Sequence, residues 1–252
     1  MPPLTVTVIT KNEAENLAAA LESVAWADEI IVVDSESTDD TVGIARRFTD
    51  RVEVRPWPGY VAQKNYAASR ASHDWILSLD ADERVTPGLA DSIRQSVADP
   101  PAHAAFRMKR VTWHLGRWIR STDWYPDYQT RLYDRRSADW TGRHVHEALT
   151  PRGSTGELSG ELQHYPYRDV SDHLTTIDRY TSLAARQMQE EGRRAGLLQL
   201  AGHPPLAFLR NYIARGGIKD GAPGLIVSAL NAYYVFLKFA KLRELQNGER
   251  RT

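Results

Sequence analysis

"WILSLDADE", residues 75–83, is the stretch whose reading decides the fold. It opens on the apolar run Trp75-Ile76-Leu77, which has the character of a buried strand. It closes on two acids one residue apart, Asp80 and Asp82. Carboxylates are hard oxygen ligands, and Mg²⁺ or Mn²⁺ is commonly held by one or two of them together with substrate phosphates. A solvated turn would use the same residues, because exposed acids are ordinary. The segments around this strand separate the two readings.

Upstream, the chain alternates. "LTVTVIT" (4–10) reads as a strand, and "NEAENLAAALESVA" (12–25) as a helix with Asn12 as its cap and Glu15 completing a capping box. "EIIVVD" (29–34) is a β-branched run of the kind buried on both faces of a sheet. "STDDTVGIARRF" predicts a second helix, "RVEVR" (51–55) a third strand and "YVAQKNYAASRA" a third helix. Strands alternating with helices imply right-handed crossovers and a mostly parallel sheet with helices on both faces. In such sheets ligands bind beyond the carboxyl ends of the strands. Asp34 ends one strand and Asp80 another, so two acidic positions converge on the expected cleft.

The pattern changes near residue 103. "AAFRMKRVTWHL", "YQTRLYD" and "HVHEAL" read as shorter strands, and "PRGSTGELSG" (151–160) as a loop. Trp113, Trp118, Trp124 and Trp140 fall here and suit either sugar stacking or core packing. "SDHLTTIDRYTSLAARQMQEE" predicts an amphipathic helix capped by Ser171, with Leu174, Ile177, Leu183 and Met188 near one stripe. The expected organisation is residues 1–102 as a nucleotide-sugar-binding half, 103–167 as an acceptor and catalytic half, and 168–252 as a helical C-terminal region.

Composition narrows the chemistry. Hydrophobic residues make up 42% of the 252 and charged residues 25%, enough to bury a core. Lys plus Arg and Asp plus Glu are equal at 32 each, so net charge gives no reason to expect nucleic acid. The absence of Cys removes disulfides, thiol nucleophiles and Cys-ligated zinc. The start, "MPPLTVTVITKNE", lacks the basic region of a signal peptide.

"VITKNEAENL", "IIVVDSESTDDT", "QKN" and "SLDADE", in this order, resemble the family-2 glycosyltransferases of the GT-A fold. The later "PDYQTRLYDR", "VHE", "HYPY" and "IKDGAPG" resemble the branch that builds the lipopolysaccharide core, its β-1,4-glucosyltransferases included. Glu36 departs from the pattern, which leads one to expect Gly there. The resemblance implies an inverting, metal-dependent enzyme at the cytoplasmic face of the bacterial inner membrane. It would move a sugar, glucose first, from a UDP-linked donor to a glycolipid acceptor. It also implies roles: Asp34, Thr10, Asn12 and Glu13 near the nucleoside, and Asp80 and Asp82 at the metal–diphosphate. Lys64 and Arg131 would contact phosphate or acceptor, and His164 would be a further metal ligand. An inverting transfer needs a base beside the acceptor hydroxyl. Glu147, flanked by His144 and His146, is the first candidate and Asp127 the second.

Two other readings stay open at this level. A haloacid-dehalogenase-type phosphohydrolase also places D-x-D after a strand, though it normally carries Thr where this chain has Arg84. A non-catalytic sugar- or lipid-binding module could keep the fold. The tail adds a basic surplus: from Leu206 to Thr252 there are eight basic residues against three acidic. Residues 222–237 carry no charge and are followed by Lys238, Lys241 and Arg243. That pattern suits an interfacial helix on anionic lipid, a helix packed on its own domain, or a homodimer contact.

Overall fold

The computed structural model describes residues 2–97, 103–142 and 147–249. In chain order its elements are β1 (Leu4–Thr10), α1 (Leu17–Glu22), β2 (Glu29–Asp34), α2 (Thr41–Ala45), β3 (Val52–Val54) and α3 (Tyr60–Ser69). There follow β4 (Trp75–Asp80), β5 (Glu83–Val85), α4 (Pro87–Ser96), β6 (Ala105–His114), β7 (Arg117–Ile119), β8 (Asp127–Asp134) and β9 (Ala138–Thr141). The chain ends with β10 (Ala148–Pro151), β11 (Thr155–His164), α5 (Val170–Glu190), α6 (Leu197–Leu209) and α7 (Gly221–Glu249). Two compact units result, one of residues 1–110 with 127–165 and one of 111–126 with 166–252.

The first unit is the GT-A-type α/β sheet that the sequence leads one to expect. Its strand order is β3-β2-β1-β4-β8-β6-β11-β5. Strands β3, β2, β1 and β4 run parallel. Beyond them β8 pairs antiparallel with both β4 and β6, and β11 antiparallel with β5, so the sheet is mixed. The apolar runs alternate between two cores, as the period-two geometry of a strand requires. Leu4, Val6, Val8, Val32, Leu77 and Leu79 pack with Leu17 and Leu21 of α1, Ile44 of α2 and Leu89 of α4. Ile31, Val33 and Ile76 face the other way, against Ala67 and Ala68 of α3 and the rings of Tyr133 and Trp140. Order 3-2-1-4 reverses direction at β1, which opens the crevice beyond the carboxyl ends of β1 and β4.

Three local expectations in this unit change. Asn12 does not cap a helix: α1 begins at Leu17, and Asn12 holds a left-handed φ of 56°. Its side-chain oxygen accepts from the Thr38 backbone N–H at 2.8 Å, so it ties two loops together. Residues 151–160 are not a loop throughout, because β11 starts at Thr155 and buries Gly156, Leu158 and Leu162. Gly160 is required there: its φ is 90°, and a Cβ would lie 2.6 Å from the Leu89 backbone nitrogen. Of the expected strand "HVHEAL", Ala148 and Leu149 lie in β10, while His144 and His146 fall outside the described residues.

The second unit draws Val111–Pro126 together with the C-terminal helices. Thr112–His114 of β6 pair antiparallel with β7. Helix α5 is capped by Asp169, whose carboxylate accepts from the Asp172 N–H, and not by Ser171. Ile177 and Met188 are buried as expected, but Leu174 is exposed. Helices α6 and α7 run antiparallel: the Ala195 N–H donates to Gln246, His203 meets the Phe239 ring, and Asn231 donates to Asn211. "KDGAPG" is not a simple spacer, since α7 begins at Gly221 within it. A Cβ on Gly224 would lie 1.9 Å from the Gly217 carbonyl oxygen, so this close turn needs glycine.

Of the three readings the sequence leaves open for the tail cations, the packed helix accounts for Lys241 and Arg243. Lys241 donates to the Asp178 carbonyl and carboxylate and to the Thr181 and Ser182 hydroxyls, which pins α7 to α5. Arg243 donates to the Ala195 carbonyl. Lys238 is half-buried over the Tyr234 and Phe239 rings, and burial lowers its pKa. Lys241 and Arg243 thus tie α7 to α5 and to the segment before α6, while Lys238 packs along its own helix.

Candidate active site

The site lies within the first unit, at the carboxyl ends of β1, β2 and β4. Parallel pairing sets Thr10 opposite Asp34 and Ile9 opposite Asp80. Asp34 is fully buried, and its carboxylate accepts from the Ser37 N–H at 2.8 Å and from the Ser37 hydroxyl. Asn12 and Glu13 occupy the adjoining loop, where the Glu13 N–H donates to the Thr41 hydroxyl at 2.8 Å. Gln63, on α3, is fully buried and donates to the Ser35 hydroxyl at 3.1 Å.

From there a chain of alternating charges runs through the site. Glu147 lies 3.7 Å from the Lys64 ammonium, which is 3.2 Å from Asp80. Asp80 pairs with Arg131, and Arg131 lies 2.8 Å from Glu83. Glu83 is 3.0 Å from Arg110, whose guanidinium is 2.7 Å from Asp127. Glu83, Lys64 and Arg131 are buried, and buried charges persist only when paired in this way. Trp140 underlies the chain, its ring 4.3 Å from the Lys64 ammonium and 5.8 Å from the Arg131 guanidinium. Its indole N–H donates to the Tyr133 hydroxyl, whose pKa burial pushes up to about 12.

The protonation states follow from this pairing. Burial would raise the Asp80 pKa, but Arg131, Lys64 and Arg110 outweigh it and hold the carboxyl well below its usual range. Burial would lower the pKa of Arg131, yet Asp80 and Glu83 raise it. Arg110 is likewise raised by Glu83 and Asp127 against burial. At Asp82 burial works upward and His164 prevails downward, with the imidazole Nε2 3.3 Å from the carboxylate.

The implied metal can be set against these donors. Among the described residues no cluster of three His, Cys, Asp or Glu side chains is able to hold an ion by itself. Asp80 is engaged by two cations. Asp82 and His164 are close enough to share one ion, and a diphosphate would complete its coordination. The donors therefore fit a divalent ion held jointly with a nucleotide.

Two polar atoms beside Asp34 and one beside Asp80 are buried without a hydrogen-bond partner: Thr10 Oγ1, Gln63 Oε1 and Arg131 Nε. Buried polar groups are rarely left so, and a bound ligand is one ordinary explanation. The two base candidates sit at opposite ends of the charge chain. Both Asp127 oxygens are taken, one by Arg110 and the other by Gln129 at 2.7 Å. Glu147 has the ammonium of Lys64 as its neighbour. Glu83, Arg110, Gln63 and the particular place of Trp140 join the site only in the structure. Glu83 carried a signal, as a third acid in "SLDADE"; Arg110 carried none, being one basic residue among 32.

Residues 5–158 match Glycosyl transferase family 2. The chain is 32% identical to an uncharacterized glycosyltransferase of Rickettsia felis, over 97% of this chain and 90% of that protein. It is 30% identical to the lipopolysaccharide core biosynthesis glycosyltransferase LpsC of Rhizobium meliloti, over 95% of this chain and 92% of that one. Among solved structures, Staphylococcus aureus TarS is similar with a TM-score of 0.49 and 15% identity, over 72% of this chain and 39% of TarS.

Proposed function

Since the chain belongs to glycosyl transferase family 2, we propose that it transfers a hexose, with inversion, from a UDP-linked sugar to the core of lipopolysaccharide or a related glycolipid. Glucose is the first candidate for the sugar. The name of the Rhizobium meliloti relative supports the acceptor class. Such an acceptor puts the enzyme at the cytoplasmic face of the inner membrane. The observation that carries the donor reading is the set of buried, unpartnered polar atoms on Thr10, Gln63 and Arg131, gathered where Asp34 and Asp80 end their strands.

In this reading Thr10, Asn12, Glu13, Asp34 and Gln63 line the nucleoside end. Lys64 and Arg131 sit where they can exchange part of their pairing with Asp80 for contacts to phosphate. Asp82 and His164 would hold Mg²⁺ or Mn²⁺, which supplies positive charge against that developing on the departing diphosphate. Glu147 accepts the proton of the acceptor hydroxyl, and Lys64 fixes where its carboxylate lies. Asp127 acts on Arg110 and is a positioning residue.

A thermal-shift panel of UDP, GDP and their sugars with Mn²⁺ or Mg²⁺, followed by donor hydrolysis, tests the reading. Stabilisation by UDP and UDP-glucose in the presence of metal is expected. No response to any uridine nucleotide would overturn it.

A further inference from the structure

Helix α6 has an unusual surface for a helix of a soluble unit. Its residues 197–209 carry no charge, yet Leu197, Leu198 and Leu206 are 73%, 75% and 65% exposed. At helical spacing Leu198, Ala201, Pro205 and Leu209 line one exposed stripe, and Ala207 is buried on the other side. Exposure continues through Ile213 and Ile218. On α7 the exposed positions 222, 225, 226, 229, 233 and 236 are Ala, Leu, Ile, Ala, Tyr and Phe, again at helical spacing. Exposed apolar groups in such number mark an interaction surface.

Charge identifies what covers it. Residues 193–219 contain five cations, Arg193, Arg194, Arg210, Arg215 and Lys219, and no acid. They bracket the uncharged helix at both ends. Asp123 pairs with Arg210 and Arg215 and Glu191 with Arg193, while Arg194 and Lys219 are exposed. An apolar helix flanked by cations matches the boundary between acyl chains and anionic headgroups. Gly217–Gly248 is long and apolar enough to cross a membrane by length and composition; its 18-residue apolar window has a mean hydropathy of 1.4, but only 22% of that window is buried. Its bonds to α5 and α6 along its length fit a helix that lies on a bilayer better than one that leaves its unit to span it.

We infer that the hairpin of α6 and α7 is an interfacial anchor, seating Leu198, Leu206, Leu209, Ile213 and Ile218 in an anionic lipid surface. The inference deepens the proposed use of a glycolipid acceptor and rests on that reading for its purpose, though not for its geometry.

The test is flotation of the full chain with phosphatidylcholine vesicles, with and without phosphatidylglycerol. The native chain should float with the anionic vesicles and far less with neutral ones. L198E/L206E/I213E changes exposed side chains only, so melting and UDP binding in solution should be unchanged while flotation is lost. R194Q/K219Q should weaken anionic binding about 25-fold at low salt, about fivefold per cation, and the difference should vanish in 1 M salt. Failure of the native chain to bind anionic vesicles, or equal binding by the triple variant, would overturn the inference. So would a native dimer that the triple variant turns into a monomer, since a second copy would then cover the face. Vesicle binding without any UDP binding would leave the anchor standing and count against the donor reading alone.

Discussion

The Lys64 ammonium stands 3.2 Å from an Asp80 carboxylate oxygen, and the lysine side chain is 2% exposed. A buried lysine costs desolvation energy unless its charge is answered, and here Asp80 answers it. Replacing Lys64 by Met keeps the length of the side chain and removes the charge. Asp80 retains Arg131, so the loss should be that of one charged hydrogen bond, roughly 2 kcal/mol, read from urea unfolding. Nucleotide binding should weaken as well. An unchanged unfolding midpoint would show that the ammonium does not contribute to the fold.

Glu147→Gln should keep donor binding and lower transfer by about 10²–10⁴-fold, the usual worth of a positioned base. Asp127→Asn should cost less, because Asp127 works through Arg110. Transfer assays beside UDP titrations separate the two. A dead Asp127→Asn enzyme with an active Glu147→Gln enzyme would exchange their roles.

Asp82→Asn should abolish the metal dependence of UDP binding. Asp82 lies in the turn between β4 and β5, 25% exposed and beside His164, so the fold should hold. The affinity gained on adding Mn²⁺ should fall at least about tenfold, to the level the native chain shows with a chelator. Calorimetric titration with and without Mn²⁺ reads this directly.

What was legible in the sequence followed from local rules. Strands β1, β2 and β4 announced themselves because each is buried on both faces and is built mostly of apolar and β-branched residues, with the buried hydroxyls of Thr5, Thr7 and Ser78 among them. Strand β11 was hidden: Gly156 and Gly160 look like turn residues, while Leu158 and Leu162 are too sparse to show alternation. Asn12 looked like a helix cap because Asn favours caps, but Asn also tolerates the left-handed conformation it adopts here. The charge chain was out of reach for another reason. Arg110 meets Glu83 across 27 residues and Arg131 meets it across 48, and no local pattern encodes such pairings. The apolar tail is visible in the sequence with three partners open to it, and only packing shows that Lys241 faces Asp178.

Glu36 has a φ of 58° and is exposed, in the loop after Asp34. A left-handed conformation costs an L-residue roughly 1–2 kcal/mol. Glycine removes that strain but adds roughly 0.5–1 kcal/mol of unfolded-state entropy. Glu36→Gly should therefore stabilise by about 0.5–1 kcal/mol, seen as a higher denaturant midpoint with unchanged slope. A lower midpoint would mean that the Glu side chain makes compensating contacts.

The second unit should carry an acid-sensitive core. His173 and His114 are buried, their Nδ1 and Nε2 atoms 3.2 Å apart, and the Tyr167 ring stacks on His173 at 4.0 Å. The Trp124 ring completes the surround, and Asp172 is the acid whose charge acts on His173. Burial, reinforced by His114, lowers the pKa of His173 from 6.5 to about 4, and burial lowers that of His114 as well. Between these values the unfolded chain binds a proton that the folded chain refuses. Stability is therefore whole above about pH 6.5, declines as pH falls through this window, and levels off below about 4. His173→Asn can place a polar atom where Nδ1 stood without a titratable ring. Melting temperatures from pH 7.5 to 4.5 should fall more steeply for the native chain than for this variant. Parallel curves would mean that other groups, the paired carboxylates of the first unit among them, account for the acid response.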